Sequence, residues 1–381
     1  MKIVMLSNYF NHHQKPLSDS FNCLTECGYS FIEAENMDNT RRTLGWRSDI
    51  SAPYVCSADN EKSNICINEA DVIIAGSFPE KAIHKCIVSD RTVFRYSERP
   101  LKKGSEPAKF IPRFFKWHYL NPPGKSVYML CASAFTAGDY RKFGLFKNRC
   151  FKWGYFPETI HYDDLDGLLK DKTANSILWC GRFLDWKHPD DALKIAFQLK
   201  KEGIDFHLKM IGSGPMENEL RRMIDEYGIS DCAELLGSMP PEQVRQHMEK
   251  SGILLFTSDR KEGWGAVLNE AMNSGCAVVA SHAAGSVPYL VKDKESGLVY
   301  HSGDTEELYG KAKQLLANPD KQRKLGEAAY HTVADLWNAE TAAQRFVQLS
   351  QAIMDGDKYP NLFQDGPCSI AEIIREDWYR G

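Results

Sequence analysis

The 381-residue sequence contains 11 cysteines and no Cys-x-x-Cys pair. Cys23 and Cys27 stand four apart on an expected helix, and no second Cys or His pair lies nearby to complete a zinc site. The odd count fits reduced thiols rather than a disulfide framework. No stretch approaches the ~18 apolar residues that would span a bilayer. The run Ile3–Leu6 is too short for a signal h-region, so a first β-strand and a cytoplasmic protein are expected. A large charge of one sign is also lacking, since 47 Lys and Arg against 51 Asp and Glu leave a net charge of −4. That excludes a nucleic-acid binder driven by bulk charge, and no nucleic-acid partner is expected. No repeat of fixed period and no low-complexity tract occurs.

What is present is an alternation of short apolar runs with helical patterns, which reads as parallel α/β structure over a length suited to two domains. In the first half the expected strands are Ile3–Ser7, Tyr29–Glu33, Asp71–Ala75, Thr92–Tyr96 and Tyr128–Ala132. Residues 161–175, with Asp163, Asp164 and Asp166, read as a linker. A second alternation has strands at Ser176–Cys180, Phe206–Ile211, Ala233–Leu236, Ile253–Phe256 and Ala277–Ala280. The expected organisation is a domain over 1–160, the linker, a domain over 176–338, and carboxyl-terminal helices over 339–381 that pack back on the first domain.

Three segments carry candidate chemistry. In Glu262-Gly263-Trp264-Gly265-Ala266-Val267-Leu268-Asn269-Glu270, one carboxylate precedes a helix and the other lies about a turn and a half into it. Gly263 and Gly265 remove Cβ atoms where backbone must approach a ligand, and N–H groups at a helix start favour an anion. An acidic first helical turn is the competing reading. In Gly181-Arg182-Phe183-Leu184-Asp185-Trp186-Lys187, two cations follow a strand on its carboxyl-terminal loop, where they can neutralise a leaving diphosphate. A solvated basic loop competes. Gly212-Ser213-Gly214-Pro215 makes a tight strand-to-helix turn open to a phosphate or base, and Gly237-Ser238-Met239 ends the next strand in the same way.

Together with Ser296-Gly297-Leu298-Val299-Tyr300, these segments resemble glycosyltransferase family 4, a group of retaining enzymes, most strongly over about 176–300. The resemblance implies a GT-B architecture, two Rossmann-like doubly wound α/β domains facing a central cleft. It implies that Arg182 and Lys187 bind the diphosphate of a nucleotide-sugar donor. Glu262 would contact donor sugar hydroxyls beside the backbone of Gly263, Trp264, Gly265 and Ala266. Glu270 would accept hydrogen bonds from the ribose, with Gly212, Gly214 and the backbone around Met239 on the donor side near the base. The implied reaction is a front-side displacement in which the leaving phosphate takes the acceptor proton. It needs no cofactor, no metal and no Asp-x-Asp motif. A UDP-sugar donor and a glycan or lipid-linked acceptor in surface polysaccharide assembly are expected. A nucleotide-sugar epimerase or phosphorylase on the same fold, and a non-catalytic nucleotide-sugar-binding protein, are the rival readings.

The first half departs from the family pattern. The family often has a glycine-rich loop after its first strand, and here the loop is Asn8–Pro16. Its His12 and His13 are acceptor-side candidates, or else part of a polar turn. Many relatives have a histidine at the end of the strand that matches Thr92–Tyr96. Here Ser97 or Glu98 takes that place, and Glu98 is either catalytic or a structural partner of Arg95 or Arg99. From Arg91 to Lys125 there are nine Lys and Arg against two Asp and Glu. Residues 102–119 therefore read as a peripheral contact with an anionic membrane through their cations. Their aromatics read as the buried side of a helix over Ala108–Leu120.

Overall fold

Val72–Ala75, Ile253–Phe256 and Ala277–Ser281 are strands without one exposed residue. Strands apolar on both sides need cover on both sides, which a parallel sheet flanked by crossover helices provides. The computed structural model describes residues 1–24, 28–34, 51–104, 106–375 and 377–380. The chain forms two compact units, Met1–Glu158 with Trp337–Ile374, and Thr159–Leu336 with Arg375–Gly381.

The first unit holds β1 (Lys2–Ser7), β2 (Gly28–Glu33), β3 (Val55–Ser57), β4 (Val72–Ala75), β5 (Thr92–Ser97), β6 (Val127–Cys131) and β7 (Cys150–Lys152). They lie in the order β3-β2-β1-β4-β5-β6-β7, all parallel. One face packs Val4, Leu6, Ile73 and Val93 with Ile83 and Ile87 of the helix Glu80–Val88. On the other, Phe346 of the helix Ala339–Met354 sits 4.8 Å from Phe94 and 5.6 Å from Phe21, ring centre to ring centre. Full burial of a side chain of this size contributes about 1.5–3 kcal/mol.

The second unit holds β8 (Ser176–Cys180), β9 (His207–Ile211), β10 (Ala233–Gly237), β11 (Ile253–Phe256), β12 (Ala277–Ser281) and β13 (Leu298–Tyr300), in the order β10-β9-β8-β11-β12-β13. The chain runs outward from β8 through β9 to β10. It then returns to the other side of β8 as β11, in register Ile253 to Ile177 and Leu254 to Leu178. Successive crossovers on opposite sides of β8 leave a crevice at the carboxyl ends of β8 and β11, where doubly wound sheets bind ligands.

Two sequence expectations change. Residues 161–175, read as a linker, lie within the second unit and carry the helix Leu165–Lys170. Lys172, just after it, donates to the carbonyls of Met248, Glu249, Ser251 and Ser274, closing the ends of two helices. Residues 339–381, read as helices, contain one α-helix among the described residues, Ala339–Met354. Among the described residues the segment after it has only a single bridge residue, Ile370, and the 3-10 turn Trp378–Arg380. β3 and β13 were not anticipated as strands; each is three residues long, too short for a periodic pattern to register.

Candidate active site

The loop Gly181–His188 leaves β8 beside the loop Thr257–Gly265 that leaves β11. Backbone hydrogen bonds tie the first of these to the loops after β9 and β10. The N–H groups of Gly181, Phe183 and Gly212 donate to the carbonyls of Ile211 (3.0 Å), Ser213 (2.8 Å) and Gly237 (2.9 Å). Ser213 and Ser238 share a hydroxyl hydrogen bond of 2.8 Å. Gly212 has φ +143°, and a Cβ there would run into the Gly181 carbonyl. Only glycine permits this contact between consecutive strand ends. Gly265 has φ +85° at the start of the helix Ala266–Asn273, and a Cβ there would stand 2.5 Å from Phe256 Cζ and 3.3 Å from Glu262 Cγ.

The two loops meet through charge. Lys187 Nζ donates to Glu262 Oε2, with side-chain exposures of 12 % and 14 %. Ser258 Oγ donates to the same oxygen at 3.2 Å. Glu262 Oε1 makes no hydrogen bond among the described residues. The Thr257 hydroxyl donates to the Lys187 carbonyl at 2.5 Å and accepts from Trp179 Nε1 at 2.8 Å. The Asp259 N–H donates to the Trp186 carbonyl at 2.8 Å. Its carboxylate lies 3.6 Å from the His188 ring and is the main cause that raises that imidazole's pKa. Arg182 is exposed, and no hydrogen bond or ion pair of its guanidinium occurs among the described residues. A small cationic surface beside a half-satisfied carboxylate can receive an anion and hydroxyls together.

Glu270, one helical turn into Ala266–Asn273, is partly buried. Burial pushes its carboxyl up to about 7, against the opposing pull of Arg245. Arg245 holds the helix end through the Glu270 carbonyl (3.2 Å) and Asn273 Oδ1 (2.9 Å). Cys180, at the end of β8, is raised to about 12 by burial and then by Glu270, while Lys187 pulls the other way. Cys180 thus feels both Glu270 and Lys187 from its place at the strand end.

Of the expected donor-side residues, Arg182, Lys187, Glu262, Gly263, Gly265, Ala266 and Glu270 flank the β8 and β11 ends, and Gly212, Gly214 and Met239 follow β9 and β10. The Trp264 indole is fully buried and donates to Asn269 Oδ1 at 2.8 Å, so its side chain braces the helix start and offers a ligand nothing. Asp259, Thr257 and Ser258 were not singled out in the sequence. Their signal was weak, a Thr-Ser-Asp run between a strand and Glu262 that reads equally as a polar turn.

In the first unit Glu98 follows β5. It accepts from the Tyr155 hydroxyl at 2.6 Å and from Lys102 Nζ. The anticipated partners are engaged elsewhere. Arg95 pairs with Glu80 at 2.8 Å and donates to Asn121 at 2.8 Å, and Arg99 pairs with buried Asp139 at 3.3 Å. His12 and His13 lie after β1 with ring centres 4.0 Å apart. Burial, with a smaller push from His12, lowers His13 to about 3, so it is neutral at pH 7. Cys27 lies outside the described residues.

The Asp-x-Asp spacing does occur, at Asp164-Leu165-Asp166 and Asp355-Gly356-Asp357. Asp164 caps a helix through the Gly167 N–H and Asp166 pairs with Arg323 at 2.8 Å. Asp355 accepts from Gln351, and Asp357 from the Tyr359 N–H. Among the described residues no group of three His, Cys, Asp or Glu side chains is placed to hold a metal ion.

The chain is similar to known proteins in sequence and fold. The family described as "Glycosyl transferases group 1" matches residues 163–332. The putative colanic acid biosynthesis glycosyltransferase WcaL of Escherichia coli is 27 % identical over 190 residues, 48 % of this chain and 46 % of that protein. A GDP-mannose-dependent alpha-(1-6)-phosphatidylinositol monomannoside mannosyltransferase of Mycolicibacterium smegmatis is 25 % identical over 179 residues, 45 % of this chain and 47 % of that protein. The chain thus spans about half the length of the curated relatives it matches. Among solved structures, Anabaena HepE in complex with UDP superposes with a TM-score of 0.68 at 16 % identity, covering 92 % of this chain and all of that one. Residues 163–332 thus resemble the glycosyl transferases group 1 family, on a fold of two Rossmann-like units of the GT-B kind.

Proposed function

We propose that this protein is a retaining hexosyltransferase that moves a sugar from a UDP-sugar to a glycan or lipid-linked acceptor in surface polysaccharide assembly. It would work on the cytoplasmic side of a membrane, without metal or cofactor. One observation carries the reading: the Lys187–Glu262 pair beside an exposed, uncommitted Arg182 at the β8/β11 crevice. Breaking the bond between sugar and diphosphate builds negative charge on the leaving phosphate, and two preorganised cations lower that barrier. Glu262, held by Lys187 and Ser258 through one oxygen, has the other for a sugar hydroxyl. Glu270 accepts from ribose hydroxyls, and the loops after β9 and β10 border the base. Glu98 serves the acceptor or the positive sugar ring, with His12 and His13 on the acceptor side. The UDP bound by Anabaena HepE and the polysaccharide assignment of WcaL support the donor and the pathway.

The test is turnover of UDP-sugars over a panel of acceptors. Arg182→Ala and Lys187→Ala are each expected to lower kcat by roughly 100-fold or more, as loss of a transition-state charge contact does. Unchanged kinetics in both variants would overturn the assignment.

A further inference from the structure

Arg375–Gly381 belong to the second unit, although the residues before them, Trp337–Ile374, belong to the first. Within this short segment the 3-10 turn Trp378–Arg380 sets two aromatic side chains against His282, 96 residues earlier and the first residue after β12. The Trp378 indole N–H donates to the His282 carbonyl at 3.3 Å, and the Tyr379 ring centre lies 5.0 Å from that of His282. Both aromatics are partly buried. Such side chains supply a large contact area and, in tryptophan, a polar handle that finds a partner. His282 is a firm anchor point. It is 7 % exposed, its N–H donates to the Tyr300 carbonyl at 2.9 Å, and its Nδ1 accepts from the Ser302 N–H at 2.9 Å. Its ring also stacks on His301 at 4.5 Å.

The loop that follows His282 reaches the candidate active site. Gly285 is buried, and its N–H donates to the Glu262 carbonyl at 3.1 Å. The buried Ser286 hydroxyl donates to the Trp264 carbonyl at 2.5 Å. These two bonds bracket Gly263 and fix the backbone from which the Glu262 carboxylate extends to Lys187. Residues 283–286, Ala-Ala-Gly-Ser, carry no titratable side chain, so they bear on the chemistry through backbone position alone. A continuous run of contacts therefore joins the two aromatics to Glu262: side chains to His282, three residues of chain to Gly285, and one hydrogen bond to the Glu262 carbonyl. Packed side chains and hydrogen bonds of this kind carry energetic coupling between distant groups. Neither aromatic is part of the hydrophobic core of the second unit, so their loss should spare the fold.

We propose that Trp378 and Tyr379 are positioning residues for the donor loop. Docked on His282, they hold residues 283–286, and through them the Glu262 backbone, in the reactive geometry. The inference rests on the donor-side reading of Glu262, and amide exchange tests it separately from turnover.

The experiment compares the full chain with its Trp378→Ala/Tyr379→Ala variant by amide hydrogen exchange, UDP calorimetry and turnover of a UDP-sugar. The hydrogen bond and the ring contact each contribute about fivefold, so exchange of the Gly285 N–H should quicken by about 25-fold while β11 and β12 keep the parent rates. Turnover should show the same loss, with kcat lower by about 25-fold, while UDP affinity stays within about twofold, since UDP has no sugar for Glu262 to meet. Trp378→Phe keeps a ring and loses the N–H, so about a fivefold change is expected. Tyr379→Phe keeps the ring that meets His282 and should match the parent. Unchanged exchange at Gly285 in the double variant would overturn the proposal, and so would faster exchange with kcat unaltered. Exchange that quickens equally in β11 and β12 would make the aromatics general stabilisers and likewise overturn it. A parent chain that turns over no UDP-sugar would overturn the proposed function instead, and Gly285 exchange would still decide whether the aromatics hold the loop.

Discussion

Gly212 gives the sharpest check on how the site is built. An alanine Cβ at this position would stand 2.9 Å from the Gly181 carbonyl carbon and closer still to its oxygen, with Phe183 Cε1 at 3.6 Å. No side chain can swing aside, because the obstacle is backbone that is itself hydrogen-bonded to Ile211. Relief requires the loop Gly181–His188 to move as a piece. Two costs add: an L-residue at φ +143°, about 1–3 kcal/mol, and overpacking against fixed neighbours, again about 1–3 kcal/mol. The expected destabilisation of Gly212→Ala is therefore about 2–6 kcal/mol. Gly203 supplies the control. It has φ +71° but nothing within 4 Å of an added Cβ, so Gly203→Ala should cost only the left-handed backbone, about 1–2 kcal/mol. Urea unfolding followed by tryptophan fluorescence measures both, with Trp179 beside the affected loop. In folded Gly212→Ala protein, displacement of the loop that carries Arg182 and Lys187 should also lower turnover by about 100-fold, the scale of a 1 Å misplacement. Equal midpoints for the two variants, with normal turnover, would refute the steric argument.

Two further outcomes are expected. The Glu270 carboxyl is raised from an ordinary 4.5 to about 7 by burial, so the folded state holds its proton more tightly than the unfolded chain. The associated stability is present below about 4.5 and is lost as pH rises to about 7, up to about 3 kcal/mol in all; Glu270→Gln should flatten this loss. Ribose hydroxyls donate to the ionised form, so calorimetric donor affinity should rise as pH passes through 7 in the parent and stay flat and weaker in Glu270→Gln. Glu98→Gln should lower turnover and leave donor affinity nearly intact. A lower melting temperature with unchanged activity of the folded fraction would instead assign Glu98 to structure, through Lys102 and Tyr155.

By itself the sequence determined the α/β class, most strand positions and the resemblance of about 176–300 to a glycosyltransferase family. These features are local: apolar runs of four to six residues, a glycine between strand and helix, and a carboxylate at each end of a nine-residue segment. It also brought Arg182 and Lys187 together, because both lie on one loop. Tertiary structure decided the partners. Lys187 meets Glu262, 75 residues away, because the chain crosses back over β8 to lay β11 beside it, and no local spacing encodes that crossover. Glu98 turned to Tyr155 and Lys102 rather than to the adjacent arginines, since Arg95 and Arg99 point to Glu80 and Asp139 on neighbouring helices. Residues 161–175 looked like a linker from composition, yet the Lys172 stem and ammonium reach four carbonyls supplied by distant segments. The helix Pro107–Leu120 shows the same limit. Its aromatics are equally apolar in sequence, and only the positions of Phe143 and Tyr140 divide them into a packed face and an exposed one. Periodicity records which side chains share a face, whereas what that face meets depends on chain segments far away in sequence.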